Sequence, residues 1–202
     1  MRLKPFICLP VATFALAMGI QPITLSQSNL SEIDYHIRIL QSDPSSERRI
    51  EAAQWLAKEI RRPTENHVRQ IAGVIKGGDT ATIRCSAAAI FGAIGRQSRF
   101  HTGSRRPPPD ETQMLGALRH AFVNEEVPSV RSCIVAAASE FDSSEAQVVI
   151  DRGKSDINPK VRDTAVKMER IRADRLRSGT GVAPASQDDW RPRVDYRTSG
   201  CP

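Results

Sequence analysis

The chain has 202 residues, and its apolar content of 40% is enough for one hydrophobic core. Aromatic residues make up only 5% of the chain, which disfavours a β-sandwich and favours closely packed helices. The net charge of +6 is a mild excess, so we expect no nucleic-acid partner.

Residues 1–26 have the pattern of a secretory signal peptide. Arg2 and Lys4 form a positive n-region, and the uncharged, largely apolar segment 5–20 follows it. Ala15–Ala17 and Thr24–Ser26 both fit the small-x-small rule for a cleavage site. The alternative is an uncleaved anchor, although two prolines and a glutamine weaken a membrane span. We therefore predict a periplasmic or secreted protein with no stable membrane span after cleavage.

Eight segments after the signal carry apolar residues at helical spacing. Proline or a capping side chain stands at the start of several of them. The expected helices cover residues 28–41, 44–61, 64–76, 83–95, 110–123, 128–141, 144–152 and 159–176. No segment shows the period of a strand, so the sequence predicts an all-α domain over residues 27–176. Residues 177–202 are rich in Ser, Gly, Pro and charge, which predicts a disordered tail.

A basic segment interrupts the helical pattern at residues 96–110. It combines three consecutive prolines with the arginines Arg96, Arg99, Arg105 and Arg106, and it has no acid before its last residue. This composition predicts an exposed inserted loop. The four arginines are candidate binding residues for an acidic partner or an anionic envelope polymer. A solvated connection with no binding role is the alternative.

The chain contains an internal repeat that is centred on an arginine near a helix start. The aligned arginines are Arg49, Arg84, Arg131 and Arg162. They lie 35, 47 and 31 residues apart, which falls within or near the range of helical-repeat arrays. The longest interval contains the 96–110 segment, as an insertion on one face of such an array should.

The repeat starts Pro128–Arg131 and Pro159–Arg162 share a Pro-x-Val-Arg pattern. In this pattern the chain resembles the bacterial HEAT-repeat proteins, including the group named for phycobilisome lyases, over about residues 43–176. The first repeat departs from the pattern, since Arg48 occupies the β-branched position. The resemblance implies a short α-solenoid of antiparallel helix pairs. It also implies that the repeat arginines bond to neighbouring helix ends and have a structural role.

No catalytic or metal-binding motif stands out in the chain. The histidines His36, His67, His101 and His120 lack the spacing of metal ligands, and there is no nucleophile elbow or phosphate-binding loop. We therefore expect no enzyme activity, metal or cofactor, but an exported scaffold that binds a protein partner. The alternatives are an enzyme subunit or lyase-like HEAT protein, and an immunity or inhibitor protein against an envelope-acting toxin.

Three cysteines follow the signal segment, which is too few for a disulfide framework. Cys85 and Cys133 occupy matching parts of two expected helices, but their offsets differ by one residue, about 100° around the axis. Because disulfide geometry is narrow, we expect buried free thiols, with a bridge as the alternative. Cys201 lies near the chain end, where we expect it to be exposed.

Overall fold

The computed structural model describes residues 25–101 and 111–178, and within these ranges the chain forms eight α-helices and no strand. The helices are α1 (Leu25–Ser42), α2 (Ser46–Glu59), α3 (Glu65–Gly77), α4 (Ala81–His101), α5 (Glu111–Asn124), α6 (Pro128–Ala138), α7 (Ser144–Lys154) and α8 (Pro159–Ser178). This confirms the predicted all-α class. Within the described ranges, no helix is both long and apolar enough to span a bilayer.

Several helices begin where local chemistry satisfies their first backbone amides. The Ser45 hydroxyl accepts a hydrogen bond from the Arg48 amide at the start of α2. At the start of α3, the Thr64 hydroxyl accepts from the His67 amide, and His67 Nδ1 accepts from the Thr64 amide. Pro128 opens α6, where its missing N–H costs nothing. These caps fix the turns before α2, α3 and α6.

The helices alternate between two layers. Helices α2, α4, α6 and α8 contact one another in order and form the first layer, and α1, α3, α5 and α7 form the second layer in the same way. A single apolar core lies between the layers, with its largest fully buried side chains including Phe91, Phe141, Leu56 and Met114. No helix pair could bury its apolar face alone, so each pair is stabilised by its neighbours.

Helices α4 and α6 approach each other closely because glycine and alanine occupy the contact. A Cβ atom on Gly92 would lie 3.0 Å from the Ala137 Cα atom. A Cβ on Gly95 would lie 2.9 Å from the Phe141 ring. The first layer is therefore packed backbone against backbone at this point, which only small residues permit.

Cys85 of α4 and Cys133 of α6 form a disulfide bond, with their Cα atoms 5.4 Å apart. The expectation of two free thiols is therefore wrong. The close approach of the two helices brings the side chains together, although the cysteines differ by one residue in their offset from the repeat arginine. Cys201 lies outside the described residues.

The predicted boundary of the basic insertion is also wrong. Helix α4 continues to His101, so Arg96 and Arg99 belong to its last two turns rather than to a loop. Both guanidinium groups form ion pairs with Glu140 in the turn after α6. These contacts stabilise the additional turns of α4. Helix α8 likewise runs to Ser178, two residues beyond its predicted end. The predicted signal before Leu25, Arg105, Arg106 and the tail after Ser178 lie outside the described residues.

Candidate functional site

The repeat arginines make the same contacts in successive repeats. Arg49 donates through Nε to the Leu40 carbonyl at 2.8 Å and through Nη1 to Asp79 Oδ1 at 2.6 Å. Arg84 donates through Nη1 to the Gly78 carbonyl at 2.8 Å and forks onto the Glu125 carboxylate at 2.7 and 3.0 Å. Arg49 therefore bonds to the last turn of the preceding helix and Arg84 to the turn before its own helix. Each also bonds to an acid of the following repeat.

The same pattern continues at the end of the stack. Arg131 forks onto the Asp156 carboxylate at 2.7 and 2.9 Å, and its Nη1 donates to the Glu125 and Glu126 carbonyls, both at 2.9 Å. Arg162 donates to the carbonyls of Asp156 at 2.8 Å and Ile157 at 2.9 Å. We call this set the arginine ladder: Arg49, Arg84, Arg131 and Arg162 with Asp79, Glu125 and Asp156.

The ladder carboxylates are held in their ionised form. Burial alone would raise the pKa of Glu125 and of Asp156. Hydrogen bonds from Arg84, from Arg131 and from nearby backbone amides, together with the positive charge of the arginines, outweigh burial and leave both pKa values below their ordinary range. Both ion pairs are largely shielded from water, with side-chain exposures of 15% and 8% for Arg84–Glu125 and 12% and 6% for Arg131–Asp156. These two pairs are thus shielded, charge-assisted bonds between repeats, whereas Asp79, which pairs with Arg49, is 67% exposed.

Two of the four predicted binding arginines are engaged within the protein. Arg99 donates to the Glu140 carboxylate at 2.7 Å and also to the Glu140 carbonyl. Arg96 Nη2 lies 3.9 Å from the same carboxylate, and burial lowers the pKa of Arg96 although Glu140 opposes that shift. The two side chains are only 17% and 14% exposed. Their contacts connect α4 to the turn between α6 and α7.

Two further arginines, Arg172 and Arg175, contact the same turn after α6, and the sequence did not predict them. Arg172 donates to the carbonyls of Phe141, Asp142 and Ser143 at 2.8–2.9 Å. Arg175 contacts Asp142 Oδ1 at 3.1 Å and the Ser139 carbonyl at 2.7 Å. Basic residues late in a helix were the only sequence signal for these contacts, and that signal does not specify a partner.

An open groove of about 430 Å³ lies between the α5–α6 turn and the α7–α8 turn. Its walls include Phe122, Val123 and Ile157, and its floor includes the Arg131–Asp156 ion pair. Ile157 is 91% exposed and Val123 is 58% exposed. Val123 lies in the last turn of α5 and Ile157 in the turn before α8, and together they form an exposed apolar wall of the groove.

Ile157 is apolar at a position that is acidic in the two preceding repeats. The position five residues before the repeat arginine is Asp79 in one repeat and Glu126 in the next, but Ile157 in the last. A second groove, of about 210 Å³, lies next to Arg49 and is bordered by Gly73, Gly77 and Gly78. The fold therefore forms a similar groove near the first repeat arginine, but large apolar walls are a property of the last groove.

His36, His67 and His120 have structural contacts. His67 bonds to Asp34 at 3.1 Å, and His36 stacks on Trp55 with ring centres 4.0 Å apart. His120 contacts Asn124 on the same helix. Within residues 25–101 and 111–178, no three His, Cys, Asp or Glu side chains are grouped so that they could hold a metal ion.

No protein-family model matches the chain, and no curated protein matches its sequence.

Proposed function

We propose that the mature chain is an exported helical-repeat scaffold of the HEAT type, which binds a protein partner and has no catalytic activity of its own. The observation that carries this proposal is the groove with the exposed apolar side chains of Val123 and Ile157. Burying one such side chain contributes about 1.5–3 kcal/mol to association. The groove is open and shallow, which suits a protein surface better than a small molecule.

The disulfide between Cys85 and Cys133 supports the proposed location. Disulfides persist in oxidising compartments and are rare where thiols are kept reduced. A structural cross-link inside the helical stack is therefore consistent with a protein that folds after export. The basic n-region of Arg2 and Lys4 and the apolar segment 5–20, which have the pattern of a secretory signal, support the same location.

The recurring ladder contacts support the HEAT-type part of the proposal. Each of Arg49, Arg84 and Arg131 joins one repeat to the next through a carboxylate. Such repetition gives a rigid, extended surface on which residues can vary without disturbing the fold. Ile157 is such a variation.

The proposal is tested by site-specific cross-linking followed by a binding measurement. A photo-reactive amino acid is placed at position 157, and the protein is irradiated in an envelope extract of its host. The captured protein is then purified and its affinity for the mature chain is measured by calorimetry. We expect Ile157→Asp to weaken binding at least about tenfold, because tenfold corresponds to only 1.4 kcal/mol.

The matched control is Val148, which is 42% exposed on α7 and does not line the groove. A cross-linker at position 148 should not capture the same protein, and Val148→Asp should bind like the unaltered chain. Both variants should keep their thermal stability, since the two side chains are exposed. Equal loss of binding in both variants, or no partner that binds after purification, would contradict the proposal.

A further inference from the structure

The groove contains one cation that no carboxylate neutralises. Arg131 is occupied by Asp156, and Glu125 is occupied by Arg84. Arg152 also lines the groove, its side chain is exposed, and it makes no ion pair with any residue in the described ranges. The charged groups of the groove therefore cancel except at Arg152.

The acids nearest to Arg152 in sequence do not neutralise it. Asp151 is bound by the Lys154 ammonium at 2.8 Å and by the Gln147 amide at 3.0 Å. These hydrogen bonds lower the pKa of Asp151, and they come from two residues of its own helix. Glu126 is exposed on the turn before α6 but is not among the groove's lining residues. Arg152 thus presents a guanidinium that can form a new charge-assisted bond.

We infer that the groove recognises a protein segment in which a bulky apolar side chain is followed directly by an acidic one. The apolar side chain packs against Val123 and Ile157, and the carboxylate pairs with Arg152. This inference rests on the proposed function, because it names the chemistry of the partner that the groove binds. Arg152 is the only unpaired charge among the described residues that line the groove, and a carboxylate is its complement. A basic segment would meet that charge with repulsion.

The energies of the two contacts explain why the apolar side chain and the carboxylate are needed together. An exposed ion pair contributes only about 0–1 kcal/mol, so Arg152 alone would bind no anion usefully. Apolar contact with Ile157 alone would not distinguish one partner from another. When the apolar side chain excludes water from the groove, the neighbouring ion pair strengthens because the local dielectric falls. Specificity then comes from the combination.

The inference is tested with capped peptides and the full mature chain. The probe is acetyl-Gly-Ser-Leu-Glu-Ser-Gly-amide, and the matched peptides replace Glu by Gln or Leu by Ser. Binding is followed by amide chemical shifts in the ¹⁵N-labelled protein. We expect the Leu-Glu peptide to shift the signals of Val123, Arg152 and Ile157. Each matched peptide should bind about tenfold more weakly, because the Gln peptide loses the charge-assisted bond and the Ser peptide loses the apolar contact.

Protein variants separate the acidic preference from the apolar contact. Arg152→Gln should bind the Leu-Glu and Leu-Gln peptides equally, and Arg119→Gln on the exposed face of α5 should keep the preference. If the unaltered chain does not distinguish Leu-Glu from Leu-Gln but still requires Leu, the acidic preference is wrong and the apolar groove of the proposed function stands.

Two further outcomes would overturn the inference. One is the absence of shifts in the groove with the Leu-Glu peptide at about 5 mM, well above a weak dissociation constant. The other is a concentration-dependent shift of the groove signals without any peptide, which would show that a second copy of the chain occupies the groove. Groove signals displaced by a peptide of residues 179–202 would assign it to the chain's own tail and would equally exclude the partner segment.

Discussion

At the scale of single residues, Gly92 controls how closely α4 and α6 approach. Its missing side chain leaves room for the Ala137 backbone, and the neighbouring disulfide depends on the same approach. Helical glycine normally costs about 1 kcal/mol relative to alanine. At this position the loss is offset by packing that no other residue allows.

We predict that Gly92→Ala destabilises the protein by about 1–3 kcal/mol, because the new Cβ would lie 3.0 Å from a backbone atom that cannot turn away. The matched control is Gly116→Ala on α5, where an added Cβ has no neighbour within 4 Å. That variant should gain about 0.5–1 kcal/mol through its higher helix propensity. The free energy of unfolding in urea measures both, and a gain in stability at both sites would contradict the packing argument.

The arginines show what residue type alone can and cannot predict. The spacing in the sequence made the recurrence of Arg84, Arg131 and Arg162 visible, and the resemblance to HEAT-repeat proteins implied their contacts with neighbouring helix ends. Arg96 and Arg99 share the same charge, but the prolines and glycine that follow suggested a loop. Their partner Glu140 lies 41 residues after Arg99, and nothing local to either residue predicts the pair. A contact of this kind depends on how two helices cross.

At the scale of helices, the sequence predicted the number and order of the elements because apolar spacing is a property of each segment. The ends were less certain, as α6 stops at Ala138 although the apolar pattern continues to Phe141. The turn there is held by Arg172 and Arg175 of α8, which are distant in sequence. The groove was not predicted either, because it needs the ends of α5 and α7 to lie side by side.

The disulfide joins two helices of the first layer that are already in close contact. Its cysteines are 48 residues apart, so the cross-link restricts a long segment of the unfolded chain. The disulfide should therefore stabilise the fold mainly by reducing the entropy of the unfolded state. It also fixes α4 relative to α6 near the ladder end of both helices.

We predict that Cys85→Ala with Cys133→Ala lowers the free energy of unfolding by up to about 4 kcal/mol, from the loop-entropy relation. For a domain of this size the midpoint temperature should fall by about 10 °C. Adding reductant to the unaltered protein should give the same shift, whereas the double variant should not respond. If the double variant had the same midpoint temperature as the unaltered, oxidised protein, the bond would contribute nothing to stability.

At the scale of the whole molecule, the arginine ladder places three charge pairs along one edge of the stack, two of which are shielded from water. Each first-layer helix is followed by a second-layer helix running the other way, so all first-layer helices point in the same direction. Their repeat arginines therefore lie on the same edge, together with Asp79, Glu125 and Asp156. The stability of the stack should depend on these carboxylates being ionised.

We predict that this dependence appears as acid sensitivity at Asp156. Its pKa in the folded protein is lowered below the model-peptide value of 3.8, so its stabilising effect is complete above that value and is lost as the pH falls through the folded pKa. Asp156→Asn should cost roughly 1.5–3 kcal/mol at pH 7, the contribution of a hydrogen bond to a charged group. Urea unfolding between pH 7 and pH 2 measures the difference.

The two proteins should become equally stable at the lowest pH, because the unaltered Asp156 is then protonated as well. A difference that stays constant across the whole range would mean that the Arg131–Asp156 charge pair is not its cause. The control is Asp163→Asn, an exposed residue of α8 with no ion pair among the described residues, which should change little at any pH.

The ladder also gives the stack a direction. Arg49, Arg84 and Arg131 each find an acid in the following repeat, but Arg162 donates only to backbone carbonyls among the residues that the structure describes. The last repeat therefore supplies an arginine donor at its end, but among the described residues no carboxylate of a following repeat accepts from it. A duplicated copy of residues 144–178 placed after α8 would supply that acceptor, because it begins with a second-layer helix and carries Asp156 before the next first-layer helix. Gene duplication or protein engineering could lengthen this molecule at that end without a new type of interface.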